Sequence, residues 1–274
     1  MSTLTNGSVD IHFEDTGGDG RPVVLVHGWP LSGASWADQV PALTSAGYRV
    51  VTYDRRGFGE SGKPGTDSGY DYDTLTGDLD ALMTELDLRD ASLVGFSMGG
   101  GEVARYVGTH GEDRLRSIVF AAAVPPCLLK DEDHPDGALD ADTVAQYQGA
   151  IRGDREGFLD GFLTNFFRAD GELKVTEEQR QAALDLAAQA DLHAAAECIA
   201  SWVTDFTGDL ARVSVPTLVV HGDSDAIVPF EVSGRRTAET VDGARLEVLS
   251  AGPHGINTSH AEEFNRVLLD FLAD

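Results

Sequence analysis

Hydrophobic residues recur along this chain in two patterns, short apolar runs and longer stretches with helical spacing. The runs predict buried strands at residues 23–27, 48–53, 91–96, 117–122, 217–221 and 245–249. The alternating segment 9–14 predicts an edge strand, and helical spacing predicts helices at 36–46, 73–86, 100–110 and 261–272. Strands that alternate with helices favour an α/β fold, with a mostly parallel sheet covered by helices on both faces.

Residues 125–209 interrupt this alternation, because no run there is typical of a strand. Phenylalanine recurs at every fourth position in Phe158, Phe162 and Phe166, and residues 177–200 are rich in alanine with charges on one face. A pair of prolines and a turn-rich segment at 131–137 introduce the stretch. We therefore expect an all-helical insertion that covers the carboxyl edge of the sheet, where α/β proteins place their sites.

A length of 274 residues fits one large α/β domain with such an insertion. We predict an N-terminal core segment at 1–124, a helical cap at 125–209 and a C-terminal core segment at 210–274.

The composition is strongly acidic. Lysine and arginine number 20 against 46 aspartates and glutamates, which gives a formal net charge of −26. Such a field repels nucleic acids and anionic membranes, so neither is expected as a partner. Lysine accounts for three of the basic residues. Either a salt-adapted host or a GC-rich genome, which favours arginine and alanine over lysine, would give this balance.

Nothing in the sequence predicts export or membrane insertion. No apolar run approaches the ~18 residues that cross a bilayer, and residues 1–10 lack the basic and apolar regions of a signal peptide. Cys127 and Cys198 cannot form a disulfide framework and have no metal-like spacing, so we expect them to pack as small hydrophobic groups. A reducing, cytoplasmic location is expected.

The segment 95–99, with the sequence GFSMG, lies where a predicted strand meets a predicted helix. Glycines at both ends of this G-x-S-x-G pattern permit a sharp turn that holds Ser97 in a strained conformation, with its hydroxyl above the sheet edge. The pattern by itself can arise by chance in a chain with 31 glycines. A base and an acid later in the chain give it the context of nucleophilic catalysis.

His254 follows the last predicted strand, in a loop that reaches the same sheet edge as Ser97, and is predicted to be the base. The acid is expected after the preceding strand, where Asp223 and Asp225 are candidates. We favour Asp225, because Asp223 follows the strand so closely that it can bond loop amides instead. Residues 121–123, an alternative acid position in related folds, are alanines.

The predicted oxyanion donors are two backbone N–H groups, that of Met98 after the nucleophile and that of Trp29 after the strand 23–27. Pro30 has no N–H and is expected beside the pocket. The side chains of Trp29 and Met98 are expected as walls of the acyl pocket. Phe158 and Phe162 are expected to line its roof, and most of the phenylalanine stripe is expected to be core of the insertion. His27 is expected to shape the oxyanion loop.

The remaining polar residues carry weaker signals. His221 is interpreted as structural and His134 as a surface or packing residue, and Asp54 and Arg56 are expected to hold loops together. No H-E-x-x-H, C-x-x-C or dinucleotide-binding glycine pattern is present, so the chemistry is expected to need no metal and no cofactor.

These motifs together resemble the α/β-hydrolase family, and more closely its bacterial cofactor-free (non-haem) haloperoxidases and aryl esterase/perhydrolases. The segments that carry the resemblance span nearly the whole chain: VHGWPLSG at 26–33, YDRRGFG at 53–59, YDYDT at 70–74, VGFSMG at 94–99, GEVARY at 101–106 and PHG at 253–255. The resemblance implies triad roles for Ser97, Asp225 and His254 and donor roles for Trp29 and Met98.

The resemblance also implies an activity. Enzymes of this kind hydrolyse small esters, and from a short carboxylic acid and hydrogen peroxide they form a peracid that oxidises halide. Homo-oligomers, commonly trimers, are implied as well. Phenylalanine often stands in place of Trp29 in close relatives, and the insertion matches least well, so the substrate range does not carry over. Proline after the donor residue is associated with perhydrolysis in this family.

Two other functions stay open on the sequence. The same fold supports lactonase, C–C hydrolase and lyase reactions. A ligand-binding protein with a vestigial triad would keep the fold without turnover, although intact Ser97, Asp225 and His254 argue against it.

Overall fold

A computed structural model describes residues 2–66 and 69–274. Met1, Asp67 and Ser68, which belong to the N-terminal core segment predicted at 1–124, lie outside the described residues. The strands are β1 (Ser2–Asn6), β2 (Val9–Asp15), β3 (Pro22–Val26), β4 (Arg49–Tyr53), β5 (Ala91–Phe96), β6 (Leu115–Ala121), β7 (Arg168–Ala169), β8 (Glu172–Leu173), β9 (Thr217–Gly222) and β10 (Arg245–Leu249). The helices are α1 (Gln39–Ser45), α2 (Tyr72–Glu85), α3 (Met98–His110), α4 (Ala141–Gly153), α5 (Arg155–Phe166), α6 (Glu177–Ala187), α7 (Leu192–Ser201), α8 (Thr207–Leu210), α9 (Gly234–Thr240), α10 (Ile256–Ser259) and α11 (Ala261–Ala273).

Among the described residues, eight strands form one sheet in the order β1-β2-β4-β3-β5-β6-β9-β10. Within this sheet, β4, β3, β5, β6, β9 and β10 are parallel to one another, as their near-continuous apolar runs predict. Every residue of β5, near the middle of the sheet, is buried. The carboxyl ends of these parallel strands therefore meet at one edge, and β5 delivers Ser97 to it.

The prediction of an edge strand at 9–14 is wrong, because β2 lies between two neighbours. It pairs antiparallel with β1, where Leu4 faces Ile11, and antiparallel with β4, where Phe13 faces Tyr53. The outer strand β1 has the polar sequence STLTN with Leu4 as its single buried residue. A strand that buries one side chain gives no hydrophobic alternation, so the sequence pattern did not indicate it.

The segment 125–209 is largely helical and contains α4 to α8. The expectation that it holds no strand is wrong in one place, where β7 and β8 form a two-residue hairpin. Asp170 and Gly171 make the turn with φ of 53° and 80°, and such left-handed turns suit hairpins. Two-residue strands are too short to leave a period in the sequence. The division into 1–124, 125–209 and 210–274 stays a prediction.

Helix α11 shows how the predicted helices join the core. Its apolar stripe of Phe264, Val267, Leu268, Phe271 and Leu272 is buried, while the opposite face is charged. Across the described residues, no helix is both long and apolar enough to span a membrane.

Candidate active site

Ser97 occupies the turn between β5 and α3 with φ 54° and ψ −120°, a strained conformation for a residue with a Cβ. Backbone hydrogen bonds hold it there, since its N–H donates to Ala121 (2.9 Å) and its carbonyl accepts from Gly100 (2.9 Å). The flanking glycines are sterically required. A Cβ on Gly95 would lie 2.5 Å from the Gly99 carbonyl oxygen, and one on Gly99 would lie 2.4 Å from that of Val26. The turn therefore forms as the pentapeptide predicts.

The structure brings Ser97, Asp225 and His254 together. The Ser97 Oγ lies 2.9 Å from His254 Nε2, and His254 Nδ1 lies 2.7 Å from Asp225 Oδ2. Asp225 can only accept at that contact, so Nδ1 carries the proton and Nε2 is left to accept from the serine hydroxyl. The arrangement can move a proton from Ser97 to His254 while Asp225 orients the imidazole.

The carboxylate of Asp225 is held by four donors. Its Oδ1 accepts from the backbone N–H groups of Ile227 (2.9 Å) and Val228 (2.8 Å), and its Oδ2 is also 3.2 Å from His221 Nε2. Burial opposes ionisation of Asp225, but the His254 charge and the hydrogen bonds from His221 and His254 outweigh it. They hold the pKa of the carboxyl group well below its ordinary value.

Asp223, the alternative acid, lies apart from this cluster. Its carboxylate accepts from the Ser224 hydroxyl (3.1 Å). The loop amides that Asp223 was expected to bind donate to Asp225 instead. His221 contacts the acid, which the interpretation of this residue as structural did not include. The sequence signal that could have predicted this contact is the position of His221 at the end of β9, four residues before Asp225. Its Nε2 also faces the Val228 carbonyl at 2.8 Å.

The predicted oxyanion donors lie on the two backbone segments that meet at Ser97. Gly28 is so close that a Cβ there would stand 3.0 Å from the Ser97 Cβ. Within residues 2–66 and 69–274, the backbone N–H groups of Trp29 and Met98 donate to no protein acceptor. Unpaired N–H groups beside a nucleophile are the form that an oxyanion hole takes. Their role stays a prediction.

A buried charged network ties these two segments together. Arg55 donates to Glu102 on α3 (2.6 Å) and to the His27 carbonyl (2.7 Å), while its own N–H donates to His27 Nε2 (2.9 Å). His27 Nδ1 then donates to the Gly28 carbonyl (2.9 Å). Burial, with the Arg55 charge beside it, holds the pKa of His27 well below its ordinary value. His27 thus holds the predicted oxyanion loop as a neutral imidazole.

Asp54 and Arg56 hold loops, as predicted. Asp54 accepts from the N–H groups of Gly33 (2.7 Å) and Glu60 (2.8 Å), and Arg56 makes a two-point contact with Asp78 on α2 (2.6 and 2.7 Å).

A cavity of about 540 Å³ opens beside Ser97. Its walls include the aromatic side chains of Trp29, Tyr147, Phe158, Phe162 and Trp202. Among the described residues, those lining the cavity include no charged side chain. Pro30 follows Trp29 through a cis peptide bond but does not line the cavity. The cavity therefore suits a small neutral molecule with apolar groups.

The 125–209 segment holds the site at two points. The N–H of Gly255, next to the base, donates to the Phe166 carbonyl (2.9 Å), and the Phe166 ring lies edge-on to His254 with centroids 4.8 Å apart. On the other side, Trp29 Nε1–H donates to the Ala195 carbonyl on α7 (2.9 Å). The sequence placed Phe166 in the core stripe and gave no sign of the second contact, which joins residues 166 positions apart.

Comparison with known proteins agrees with this architecture. Residues 21–261 match a family model described as the alpha/beta hydrolase fold, so the chain belongs to the α/β-hydrolase family and is an enzyme of that class. It is 44% identical to a non-heme chloroperoxidase of Kitasatospora aureofaciens, with 98% of both proteins covered. It is 36% identical to a bifunctional esterase/perhydrolase of Acinetobacter calcoaceticus, again with 98% of both covered. A crystal structure of bromoperoxidase from Bacillus anthracis superposes with a TM-score of 0.95 at 51% identity over 100% of both chains. The resemblance inferred from the motifs is thereby confirmed.

Proposed function

We propose that this protein is a serine esterase for small neutral carboxylic esters that also acts as a perhydrolase and, through the peracid, as an indirect haloperoxidase. The observation that carries the proposal is the chain of contacts from Ser97 Oγ to His254 (2.9 Å) and on to Asp225 (2.7 Å). The uncharged cavity beside Ser97 supports the substrate class. The names of the relatives, a chloroperoxidase and an esterase/perhydrolase, support the pair of activities.

The first half of the proposed reaction forms an acyl-enzyme. Ser97 Oγ attacks the acyl carbonyl as its proton passes to His254 Nε2, and the negative oxygen that results is stabilised by the N–H groups of Trp29 and Met98. His254 then gives the proton to the departing alkoxide, or to hydroxide where the acyl donor is a free carboxylic acid. Asp225 stabilises the imidazolium while it exists.

The second half divides between two nucleophiles. Water attacks the acyl-enzyme to release a carboxylic acid, whereas hydrogen peroxide releases a peracid, and in both cases His254 takes one proton and returns it to Ser97. The peracid transfers one oxygen atom to a halide ion in solution, which gives the carboxylate and hypohalous acid. Halogenation therefore requires no halide site on the protein.

The proposal is tested by p-nitrophenyl acetate hydrolysis and monochlorodimedone bromination in parallel, with wild type and Ser97→Ala. Wild type should hydrolyse the ester and should brominate only when hydrogen peroxide and a carboxylic acid are both present. Ser97→Ala should lose both activities by ~10⁶, because nothing replaces the nucleophile. A fluorophosphonate should label wild type on Ser97. No adduct would favour a ligand-binding protein, and bromination without any carboxylic acid would overturn the peracid route.

Assembly into a homo-oligomer, with a trimer as one possibility, is a further element of the proposal that rests on the family resemblance. Light scattering coupled to size-exclusion chromatography measures it directly.

A further inference from the structure

Cys127, His134 and Asp205 bring a thiol sulfur, an imidazole nitrogen and a carboxylate oxygen within 4.8 Å of one another. Cys127 and His134 lie in the loop between β6 and α4, and Asp205 lies between α7 and α8. None of the three lines the cavity beside Ser97. We propose that these side chains form a site for a divalent transition-metal cation and that Zn²⁺ is the preferred ion.

His134 and Asp205 direct two acceptor atoms at each other. His134 Nδ1 is 2.9 Å from Asp131, whose carboxylate can only accept, so Nδ1 carries the proton. The lone pair of a neutral imidazole is then on Nε2, which faces Asp205 Oδ2 at 3.6 Å. A metal ion placed between these two atoms would bind both. A carboxylate bonded to the far nitrogen of a histidine is the usual outer support of a metal-binding imidazole.

Asp205 is also held by a hydrogen bond of its own. Its Oδ1 accepts from the Thr207 N–H (2.8 Å), which leaves Oδ2 directed at His134. The Cys127 side chain is buried beside these two residues. His134 and Asp205 therefore each have an orienting partner, and the exposure of Asp205 leaves the cluster open to ions in solution.

The donor set selects the metal. Magnesium and calcium take oxygen ligands, whereas a sulfur, a nitrogen and an oxygen together suit Zn²⁺, with water in the fourth position. Zinc bond lengths of ~2.0–2.3 Å place tetrahedral ligand atoms about 3.3–3.7 Å apart. The His134–Asp205 contact already has this spacing (3.6 Å), and the Cys127 sulfur, within 4.8 Å of both, completes the set by moving inward.

Charge around the site favours a cation. Residues 131–136 contain four carboxylates, and the whole chain carries −26. Arg236, a positive group near Cys127, acts against this. Zinc binds cysteine as the thiolate, so the Cys127 thiol proton must leave as the sulfur–zinc bond forms. The ion also displaces the Nε2 proton of any His134 that is protonated, and the affinity should rise with pH.

The site would join the two ends of the predicted cap. Cys127 and His134 lie where the chain enters it and Asp205 where it leaves, and the Phe206 N–H already donates to the Pro126 carbonyl (2.8 Å) between the same two segments. Leu128, the neighbour of Cys127, lines the cavity beside Ser97. Zinc should therefore stabilise the protein and change the KM for esters more than kcat.

The test uses the full-length protein stripped of metal by chelation. Titration calorimetry with Zn²⁺ should show one tight site with proton release, and Zn²⁺ should raise the melting temperature. Co²⁺ should give a thiolate-to-cobalt absorption band. Cys127→Ala should abolish that band, and Asp131→Asn should weaken binding ~10–100-fold. The matched controls are Cys198→Ala and His110→Asn, which should bind as wild type does.

The Co²⁺ absorption band of the wild-type protein decides the proposal by itself, so the test does not depend on how well the variants fold. Absence of the thiolate band, or Zn²⁺ binding as tight in Cys127→Ala and His134→Asn as in wild type, would overturn it. In that case a proton on His134 is what joins Asp131 and Asp205, and weak carboxylate binding accounts for any zinc taken up.

Discussion

At the scale of single residues, the proposed site depends on how firmly Asp225 is held. Two backbone amides fix Oδ1, so the carboxylate cannot rotate away from His254. The depressed pKa of Asp225 keeps the carboxylate ionised well below the pH at which an ordinary aspartate takes up a proton. The carboxylate is therefore available as a fixed negative charge, and the sequence order Ser97, Asp225, His254 was sufficient to predict its contact with His254.

Asp225→Asn should lower kcat for p-nitrophenyl acetate by on the order of 10⁴, because an amide can donate to His254 Nδ1 and so favour the wrong tautomer. Steady-state kinetics on the two purified proteins measure the change. The matched control is Asp223→Asn, two residues away and bonded to Ser224, which should stay close to wild type. An equal fall in kcat in both variants would show that the assignment of Asp225 as the acid is wrong.

Pro30→Leu tests what attacks the acyl-enzyme. Proline restricts the preceding residue to extended backbone, which we expect to direct the Trp29 carbonyl toward bound peroxide. The variant should lower the ratio of peracid to carboxylic acid formed from one ester at a fixed peroxide concentration. An unchanged ratio would remove Pro30 from the account of perhydrolysis and leave the esterase proposal intact.

At the scale of elements, the oxyanion loop and helix α7 are joined by one hydrogen bond, from Trp29 Nε1–H to the Ala195 carbonyl. The Trp29 ring also packs edge-on against Phe162 and Trp202, each with centroids 4.9 Å apart. The loop that carries a predicted donor is thus supported by the segment that forms the cavity wall.

Trp29→Phe should destabilise the protein by about 1–3 kcal/mol, because the buried Ala195 carbonyl loses its donor. It should also raise the KM for esters as the wall moves. Urea unfolding and ester kinetics give the two values. Trp36→Phe is the matched control, since the buried Trp36 Nε1 has no partner within the described residues. A loss of stability as large in Trp36→Phe would mean that ring volume, not the hydrogen bond, sets the effect.

The elements also show where sequence reasoning succeeds. The strands that deliver Ser97 and Asp225 are buried on both faces, so their apolar runs and the turns after them were visible locally. Strand β1 and the β7–β8 hairpin were missed, because one is polar and the other is two residues per strand. The Phe166, Ala195 and Asp205 contacts were missed for another reason. Each joins positions far apart in the chain, and no local pattern encodes them.

At the scale of the whole molecule, the buried His27 contributes to how stability responds to acid. The pKa of His27 is held well below its ordinary value, so below about pH 6.5 the unfolded chain binds a proton that the folded chain refuses. Stability therefore falls as the pH drops through that range. The contribution of His134 to this pH dependence has the opposite sign, because the hydrogen bond and charge of Asp131 raise the pKa of His134.

Replacement of His27 should remove this component of the acid sensitivity. Urea unfolding at pH 5 to 7.5 should show that the stability of His27→Gln falls less steeply with acid than that of wild type, by up to about 1.4 kcal/mol per pH unit. His260→Gln serves as the comparison variant. Parallel curves for wild type and His27→Gln would show that another group takes up the proton.

The net charge of −26 is also a property of the whole molecule. Melting and activity measured from zero to molar KCl separate its two explanations. A salt-adapted surface loses stability without salt, whereas a surface set by genome composition changes little.

Helix α5 both lines the cavity and supports the loop that carries His254, and this limits how the enzyme can evolve. Phe158 and Phe162 shape the cavity, and Phe166, one turn on, holds the His254 loop. The facing wall at Ile227 and Val228 is equally committed, since its amides hold Asp225. The wall formed by Leu128, Leu139 and Tyr147 makes, among the described residues, no hydrogen bond to the proposed triad. New substrate ranges should be acquired there first, because mutations on helix α5 or at Ile227 and Val228 would trade fit for turnover.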